Sequence, residues 1–350
     1  MTVNRGKLDE IFKDADKDKP AAILVHPSPD PDCLGAAAGF SILLKEVYGL
    51  SSEIYHFGEV SHDQNKSIKN VLRIPLKDGN DFDPDEVGNI IVLDTDLENS
   101  GFKSKKLTKV DVRIDHHNLD RDDKPAYSDV RPVGSTCAIV WDYLRELEVD
   151  LVPHPFAATA LVLGIKTDTL DFTSATTTDL DIEAHKNLLP FASKEALAKV
   201  TKYEIRRETF EYESLALANK KEREGGTTLV SFIGELNAKQ RDLIASIADR
   251  FSRMAGISTV VIMAVIDDHL QASIRSDDSR VDTDDMCIKV FGKKHAGGKD
   301  GSGGARLPLD KQLEYINTKE ARDVVIKEIV LTFENKLFDY LGEKEATNNE

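Results

Sequence analysis

The sequence predicts a two-domain α/β protein: an N-terminal domain with a mostly parallel sheet flanked by helices, a helical linker, and a smaller C-terminal α/β domain with a mixed sheet. Three observations predict it. At 350 residues the chain exceeds the roughly 250–300 residues at which a single core stops growing. From Ala21 to about Gly164, short apolar runs ending in polar loops alternate with stretches of helical period, the mark of strands joined by crossover helices. After about Ala198 the chain turns highly charged with scattered apolar anchors, and a second α/β pattern follows. The expected boundaries are 1–198 for the first domain, 199–226 for linker helices ending at Gly225 and Gly226, 227–343 for the second domain, and 344–350 for a frayed tail.

In the first domain "AAILV", "SEIYHF", "NIIVL" and "VDVRI" read as strands, and "AAAGFSILLKEVYG" and "TCAIVWDYLREL" as helices. Trp141 falls among Ile139, Val140 and Leu144 and reads as core, while Ser135 and Thr136 open the same helix as caps. A further apolar helix runs from about Phe156 to Gly164. In the second domain "TTLVSFI" reads as a strand. Asn237 with Gln240 three residues on is a capping-box signature, and the helix behind it sets Leu243, Ile244, Ile247, Phe251 and Met254 on one face. "STVVIMAVI" and "LQASIRS" read as a hairpin about Asp267 and Asp268, "AGGKDGSGGARLP" as a glycine-rich loop, and Thr318 to Leu341 as a long amphipathic helix.

Hydrophobic residues make up 40% of the chain and charged residues 31%, an ordinary globular composition rather than a disordered one. No apolar run approaches the roughly 20 residues a bilayer span needs, and "MTVNRGKLDE" lacks a signal-peptide apolar region. A cytoplasmic protein with no membrane partner is expected. Cys33, Cys137 and Cys287 are widely spaced and read as small apolar fillers in a reduced compartment. The net charge of −16 argues against a general grip on long duplex nucleic acid, so a polyanionic substrate must be held locally, as by metal ions.

The stretch "VHPSPDPDCLG" crowds His26, Asp30 and Asp32 directly after an apolar strand, and the pattern recurs. Asp94 follows "IIVL", Asp115, His116 and His117 follow "VDVRI", and Asp168 lies just beyond "LVLGI". A parallel sheet delivers such positions to one edge, where ligands bind. Carboxylates so gathered would repel by several kcal/mol without cations between them. Imidazole and carboxylate donors suit Mn²⁺, with Mg²⁺, Fe²⁺ or Zn²⁺ as alternatives. Six or seven donors exceed the needs of one ion, and two ions sharing a carboxylate form the arrangement that activates water for phosphoryl-group hydrolysis.

"HPSPDPDCLG", "VLDTD", "DHH" and "GIKTDT" resemble the four ordered motifs of the DHH phosphoesterase superfamily, and "ASIRS" with "GGKDGSGGARLP" resembles its smaller C-terminal DHHA1 domain. The likeness runs from about Ala21 to Leu341. The resemblance implies two divalent cations, Mn²⁺ or Mg²⁺. One would be held by His26 and Asp30 and the other by Asp32, His116 and Asp168, with Asp94 bridging and Asp96 as its competitor. It implies that Asp115 orients a histidine and that His117 faces substrate phosphate. The active site is expected in the cleft between the domains. The second domain would grip substrate through an anion nest at Gly297, Gly298, Gly303 and Gly304, with charge from Lys299, Arg306 and Arg275 and a hydrogen bond from Ser276. Nuclease members carry a histidine after the glycines where this chain has Lys299, which keeps a positive contact but cannot act as a neutral imidazole.

The activity expected from this likeness is phosphodiester hydrolysis in short oligonucleotides or small nucleotides, as in nanoRNases, by water activated between two ions. Exopolyphosphatase or pyrophosphatase chemistry is the main alternative, followed by cyclic-dinucleotide hydrolysis and a non-catalytic nucleic-acid-binding subunit. The expected partners are thus a short oligonucleotide, nucleotide or polyphosphate, and a second copy of the chain. "RSDDSRVDTDD" lacks the glycine and terminal glutamate of an EF-hand loop and reads as a solvated acidic loop. His56, His62, His154, His185, His269 and His295 fall outside the motifs and read mostly as surface or loop residues.

Overall fold

Residues 21–24 and 90–93 are apolar and buried at all four positions, as expected of central strands covered on both faces. In a computed structural model they lie at the middle of the first of two compact units, 1–204 and 205–350. The structure describes residues 3–347 other than 59, 61, 106, 108, 118–123, 223–226 and 300. Gly225 and Gly226 therefore lie outside the described residues.

The first unit runs α1 (Arg5–Phe12), β1 (Ala21–Leu24), α2 (Pro31–Leu43), β2 (Ser52–His56), α3 (Asp63–Val71), β3 (Leu76–Asp78), β4 (Ile90–Leu93), β5 (Val112–Asp115), β6 (Tyr127–Val130), α4 (Thr136–Glu146), α5 (Pro155–Asp168), α6 (Asp179–Leu188) and α7 (Lys194–Thr201). Its sheet has the order β3-β2-β1-β4-β5-β6, and every one of these pairings is parallel. The strand order reverses between β1 and β4, the place where open parallel sheets form a ligand crevice. One face carries Ile23, Val25, Ile91, Leu93 and Ile114 against the helices. The other carries Ala22, Leu24 and Val92 against Phe82, Phe102 and Val110, which lie in loops and a short turn. Short, partly polar β3 and β6 have no clear apolar run in sequence and are placed by pairing to their neighbours.

The helices pack unusually closely at one point. A β carbon at Gly35 of α2 would lie 2.6 Å from both the Ala160 carbonyl oxygen and Cys137 Sγ. One at Gly164 of α5 would lie 2.5 Å from the same sulfur and 2.9 Å from Asp32 Cα. Only hydrogen fits at either position, so α2, α4 and α5 meet around the Cys137 thiol.

The second unit runs α8 (Arg207–Ala218), β7 (Lys221–Glu222), β8 (Thr228–Leu236), α9 (Asp242–Phe251), β9 (Thr259–Ile266), β10 (His269–Ser276), α10 (Thr283–Phe291), β11 (Ala296–Lys299), β12 (Ser302–Pro308), α11 (Asp310–Leu313) and α12 (Lys319–Thr347). Its sheet is mixed, in the order β11-β12-β10-β9-β8-β7, with β8 and β9 parallel and the other pairs antiparallel. Helix α8, within the stretch read as linker, buries Ala216 with Leu229 and Ile247 in this unit. Asp267 and Asp268 turn the β9–β10 hairpin with φ of 47° and 55°, as a tight two-residue turn requires. Among the described residues no helix is long and apolar enough to cross a membrane.

Gly297, Gly298, Gly303 and Gly304, expected to form an anion nest, do not form one. Gly297 and Gly298 pair with Gly304 and Gly303 in an antiparallel ladder between β11 and β12, and among the four only extended backbone occurs; the positive φ belongs to Gly301 at the turn. The reason for glycine is packing. A β carbon at Gly298 would meet the Ser302 carbonyl oxygen at 2.8 Å and Thr283 at 2.9 Å, and one at Gly303 would lie 2.6 Å from Cys287 Sγ.

Gly164→Ala is expected to cost about 1–3 kcal/mol through overpacking against Cys137 and Asp32. Urea unfolding measures it, and an unchanged midpoint would show that the α2–α5 contact yields without strain.

Candidate metal centre

The sheet edge gathers its polar groups by strand ends and helix starts. His26 follows β1, and Asp30 is the N-cap of α2, where its Oδ1 accepts from Cys33 N at 2.9 Å. Asp32 is in the first turn of that helix. Asp94 comes directly after β4 with φ of 58°, a left-handed conformation that aspartate tolerates better than most residues. It accepts from Thr136 Oγ1 at 2.8 Å. Asp115 ends β5, His116 and His117 follow it, and Asp168 ends α5.

Asp32, Asp94, Asp115, His116 and His117 are each aimed by a named partner. Asp32 lies across the N-terminus of α4, accepting from Thr136 N at 2.7 Å and Cys137 N at 2.9 Å, where the helix dipole favours an anion. Ser135 is the N-cap of α4, its hydroxyl accepting from Ala138 N, while the Thr136 and Cys137 amides are taken by Asp32. His116 Nδ1 faces the Val133 carbonyl at 3.1 Å, so that nitrogen carries the proton and Nε2 presents a lone pair. Asp115 orients His117 rather than His116: its Oδ1 accepts from His117 N at 3.0 Å and lies 2.9 Å from His117 Nδ1. Arg113 holds the other oxygen at 2.8 Å.

His116 Nε2 is buried and has no hydrogen-bond partner. It lies 3.6 Å from Asp94 Oδ1 and 3.4 Å from Asp168 Oδ2. These gaps are too long for hydrogen bonds but suit donors placed around one cation with bonds of about 2.0–2.3 Å. His26 Nε2 repeats the pattern, 3.7 Å from Asp30 Oδ1 and 3.8 Å from Asp94 Oδ2. Donor atoms of Asp32, His116 and Asp168 lie within 4.8 Å of one another, as do those of Asp94, His116 and His117 and those of His26, Cys33 and Asp94. The residues therefore fit two cations, with one Asp94 oxygen toward each histidine. Asp96, though close in sequence, instead accepts from Asn99 N at 2.8 Å and Asn99 Nδ2 at 2.9 Å.

Burial, reinforced by the charges of Asp32 and Asp30, pushes the Asp94 carboxyl well above the usual carboxylate range. The same causes push Asp168 up to about 9. Without a cation the site relieves its repulsion by holding protons.

Three participants escaped the sequence reading. Thr136 and Cys33 stood as a cap and a filler. Asp181, fully buried, ties the loop before α4 in place, accepting from Gly134 N at 2.9 Å, Ser135 Oγ at 3.0 Å and Thr178 Oγ1 at 2.7 Å. The signal for Asp181 was the capping-box spacing from Thr178; its second set of bonds has none. His56, read with the surface histidines, is buried at the end of β2.

The substrate candidates lie in the second unit. Arg275, Lys299 and Arg306 share one face of the β10–β12–β11 ribbon, since Ser302 pairs with both Arg275 and Lys299 and Arg306 pairs with Gln271 four residues along. Lys299 and Arg306 are exposed on it. Arg275 is already held by Asp249 at 2.5 Å. Ser276 is buried, its hydroxyl 2.8 Å from Thr259 Oγ1, so it is not disposed to meet a ligand.

Residues 20–165 match the DHH family, N-terminal domain. The chain is 33% identical over 331 residues to an uncharacterized protein of Methanocaldococcus jannaschii, covering 94% of this chain and 66% of that one. It is 31% identical over 173 residues to a probable manganese-dependent inorganic pyrophosphatase of Lactobacillus gasseri, covering 49% and 54%. The chain thus spans just under two thirds of the first relative and about half of the second. An exopolyphosphatase-related protein of Bacteroides fragilis shares the fold, with a TM-score of 0.65, 14% identity and 98% coverage of both chains.

Because Asp168 holds a proton up to about pH 9 in the cation-free site, a cation must displace that proton to bind. Affinity for Mn²⁺ is expected to rise with pH between about pH 6 and about pH 9, by up to about tenfold per unit for each proton displaced. Calorimetric titration across that range checks it; a flat profile would mean that Asp168 is already ionised.

Proposed function

Since the chain belongs to the DHH family through residues 20–165, we propose that it is a divalent-metal-dependent phosphohydrolase acting on phosphoanhydride bonds of pyrophosphate or short polyphosphate. The observation that carries the reading is the buried, partnerless His116 Nε2 facing Asp94 and Asp168. His26, Asp30 and Asp94 would hold one cation, and Asp94, Asp32, His116 and Asp168 the other. When bound, such ions lower the pKa of water and offset charge developing on phosphate. The mixed nitrogen and oxygen donor set suits Mn²⁺, in agreement with the name of the Lactobacillus relative, and Mg²⁺ is the alternative.

This chain's own groups do the positioning. Thr136 and the amides of α4 keep Asp94 and Asp32 pointed at the histidines. Asp115 holds His117 through Nδ1 at 2.9 Å, which leaves Nε2 as the ring atom that would meet a phosphate oxygen. In the second unit, exposed Lys299 and Arg306 offer phosphate contacts.

Phosphoanhydride is preferred over oligonucleotide because the described residues on the exposed face of β12–β11 that carries Lys299 and Arg306 include no Phe, Tyr or Trp on which a base could stack. Such a platform is worth about 1–3 kcal/mol per base. A second reading, phosphodiester hydrolysis in short oligonucleotides or small nucleotides, is supported by the flat surface at exposed Gly297 and Gly304, on which a nucleoside could lie.

An assay with Mn²⁺ offering pyrophosphate, tripolyphosphate, a dinucleotide and a cyclic dinucleotide tests both readings. Phosphate release from the first two is expected, falling by about 10³-fold or more in Asp94→Asn. Preferential cleavage of the dinucleotide would transfer the proposal to the second reading, and inactivity on all four would sink both. Arg306→Ala should raise KM with little change in kcat, the sign of a contact made equally in ground and transition states; a fall in kcat alone would place Arg306 elsewhere.

A further inference from the structure

We propose that Cys33 donates a thiolate sulfur to the cation held by His26 and Asp94, making that position a mixed nitrogen, oxygen and sulfur site. The inference rests on the two-cation reading of the same edge. It says that the two cation positions differ in chemical character, and that one of them selects against hard ions.

The placement of Cys33 carries it. Donor atoms of His26, Cys33 and Asp94 all lie within 4.8 Å of one another. The Cys33 side chain is fully buried at the start of α2, and its backbone N–H is engaged by Asp30, which leaves the thiol as the group it contributes to the edge. His26 Nδ1 lies 3.0 Å from the Pro27 carbonyl, so the proton belongs there and Nε2 offers its lone pair to the same space. Asp30 Oδ1 and Asp94 Oδ2 approach that nitrogen at 3.7 Å and 3.8 Å, again the separation of donors sharing an ion rather than of hydrogen-bonded groups. One imidazole, two carboxylates and one thiol therefore converge, enough for a complete first shell.

The other cysteines are placed differently. Cys137 Sγ donates to the Asp32 carbonyl at 3.2 Å and fills the space at Gly35 and Gly164, while Cys287 lies beneath Gly303 in the second unit. The second cation position, at Asp32, His116 and Asp168, has only nitrogen and oxygen donors. A thiolate favours Fe²⁺, Co²⁺ or Zn²⁺ and disfavours Mg²⁺, whereas the second position tolerates harder ions. Binding at the first forms a sulfur–metal bond as the S–H bond breaks, and the proton passes to the buffer.

The test is optical titration of the whole chain with Co²⁺. Visible d–d bands report that the ion has bound, and a near-ultraviolet sulfur-to-cobalt charge-transfer band reports a thiolate ligand. The wild type should show both. Cys33→Ser should keep the visible bands and lose the charge-transfer band, with affinity at that position falling about tenfold or more, while Cys287→Ser should keep both. Visible bands without charge transfer in the wild type, or charge transfer that survives Cys33→Ser, would overturn the assignment and leave the two-cation reading intact. A wild type that binds no Co²⁺ at all would overturn both. If Cys33→Ser does not fold, Cys33→Ala takes its place, and the wild-type spectrum decides by itself whether a thiolate is bound.

Discussion

The site depends on how closely α2 approaches α5. Asp32 rides on the first turn of α2 and Asp168 on the last turn of α5, and both must reach His116. Gly35 and Gly164 permit that approach, with the small Cys137 side chain lying against both. Larger residues at these positions would wedge the helices apart, and a shift of about 1 Å is enough to spoil a catalytic or metal-binding geometry. The same sulfur donates to the carbonyl of Asp32, so one buried thiol ties the helix start that carries a ligand candidate to the helix start that orients it.

Around that contact the fold manages an electrostatic conflict. Asp30, Asp32, Asp94 and Asp168 converge where dielectric screening is poor, and the raised carboxyls of Asp94 and Asp168 show the cost. Part of the charge is answered within the chain. The amides of α4 take Asp32, the Thr136 hydroxyl takes Asp94, and Arg113 takes Asp115. None of these satisfies the lone pair of His116 Nε2. The remaining demand is for positive charge placed between donors, which divalent cations meet. Asp181 belongs to the same system at one remove, because it fixes the loop from which the α4 amides project.

The second unit offers cations on a sheet face rather than in a loop. Because residues alternate between faces along each strand, Lys299 and Arg306 come to one side while Gly298, Gly303 and Ala305 come to the other, against α10 and its neighbours. The glycines thus serve the packing of a helix on an edge ribbon. They leave the opposite face flat at Gly297 and Gly304, beside Lys299 and Arg306.

What the sequence determined alone is what depends on local pattern. Alternating strand and helix signals showed the parallel sheet and the second α/β block, and a carboxylate or imidazole just past each apolar run marked His26, Asp94, Asp115, His116 and His117 as edge residues. The hairpin at Asp267 and Asp268 and the capping pair Asn237 and Gln240 were legible for the same reason, since their geometry is set within four residues. Tertiary structure decided everything that needs partners distant in the chain. It alone could set Asp115 on His117 and the Val133 carbonyl on His116, fill the α4 amides with Asp32, bring Cys33 to His26 and Asp94, and turn a glycine loop into a paired ribbon. The physical reason is that a side chain's role follows from what occupies the few ångströms around it. For Asp32 those neighbours lie more than a hundred residues away, beyond the reach of any local pattern.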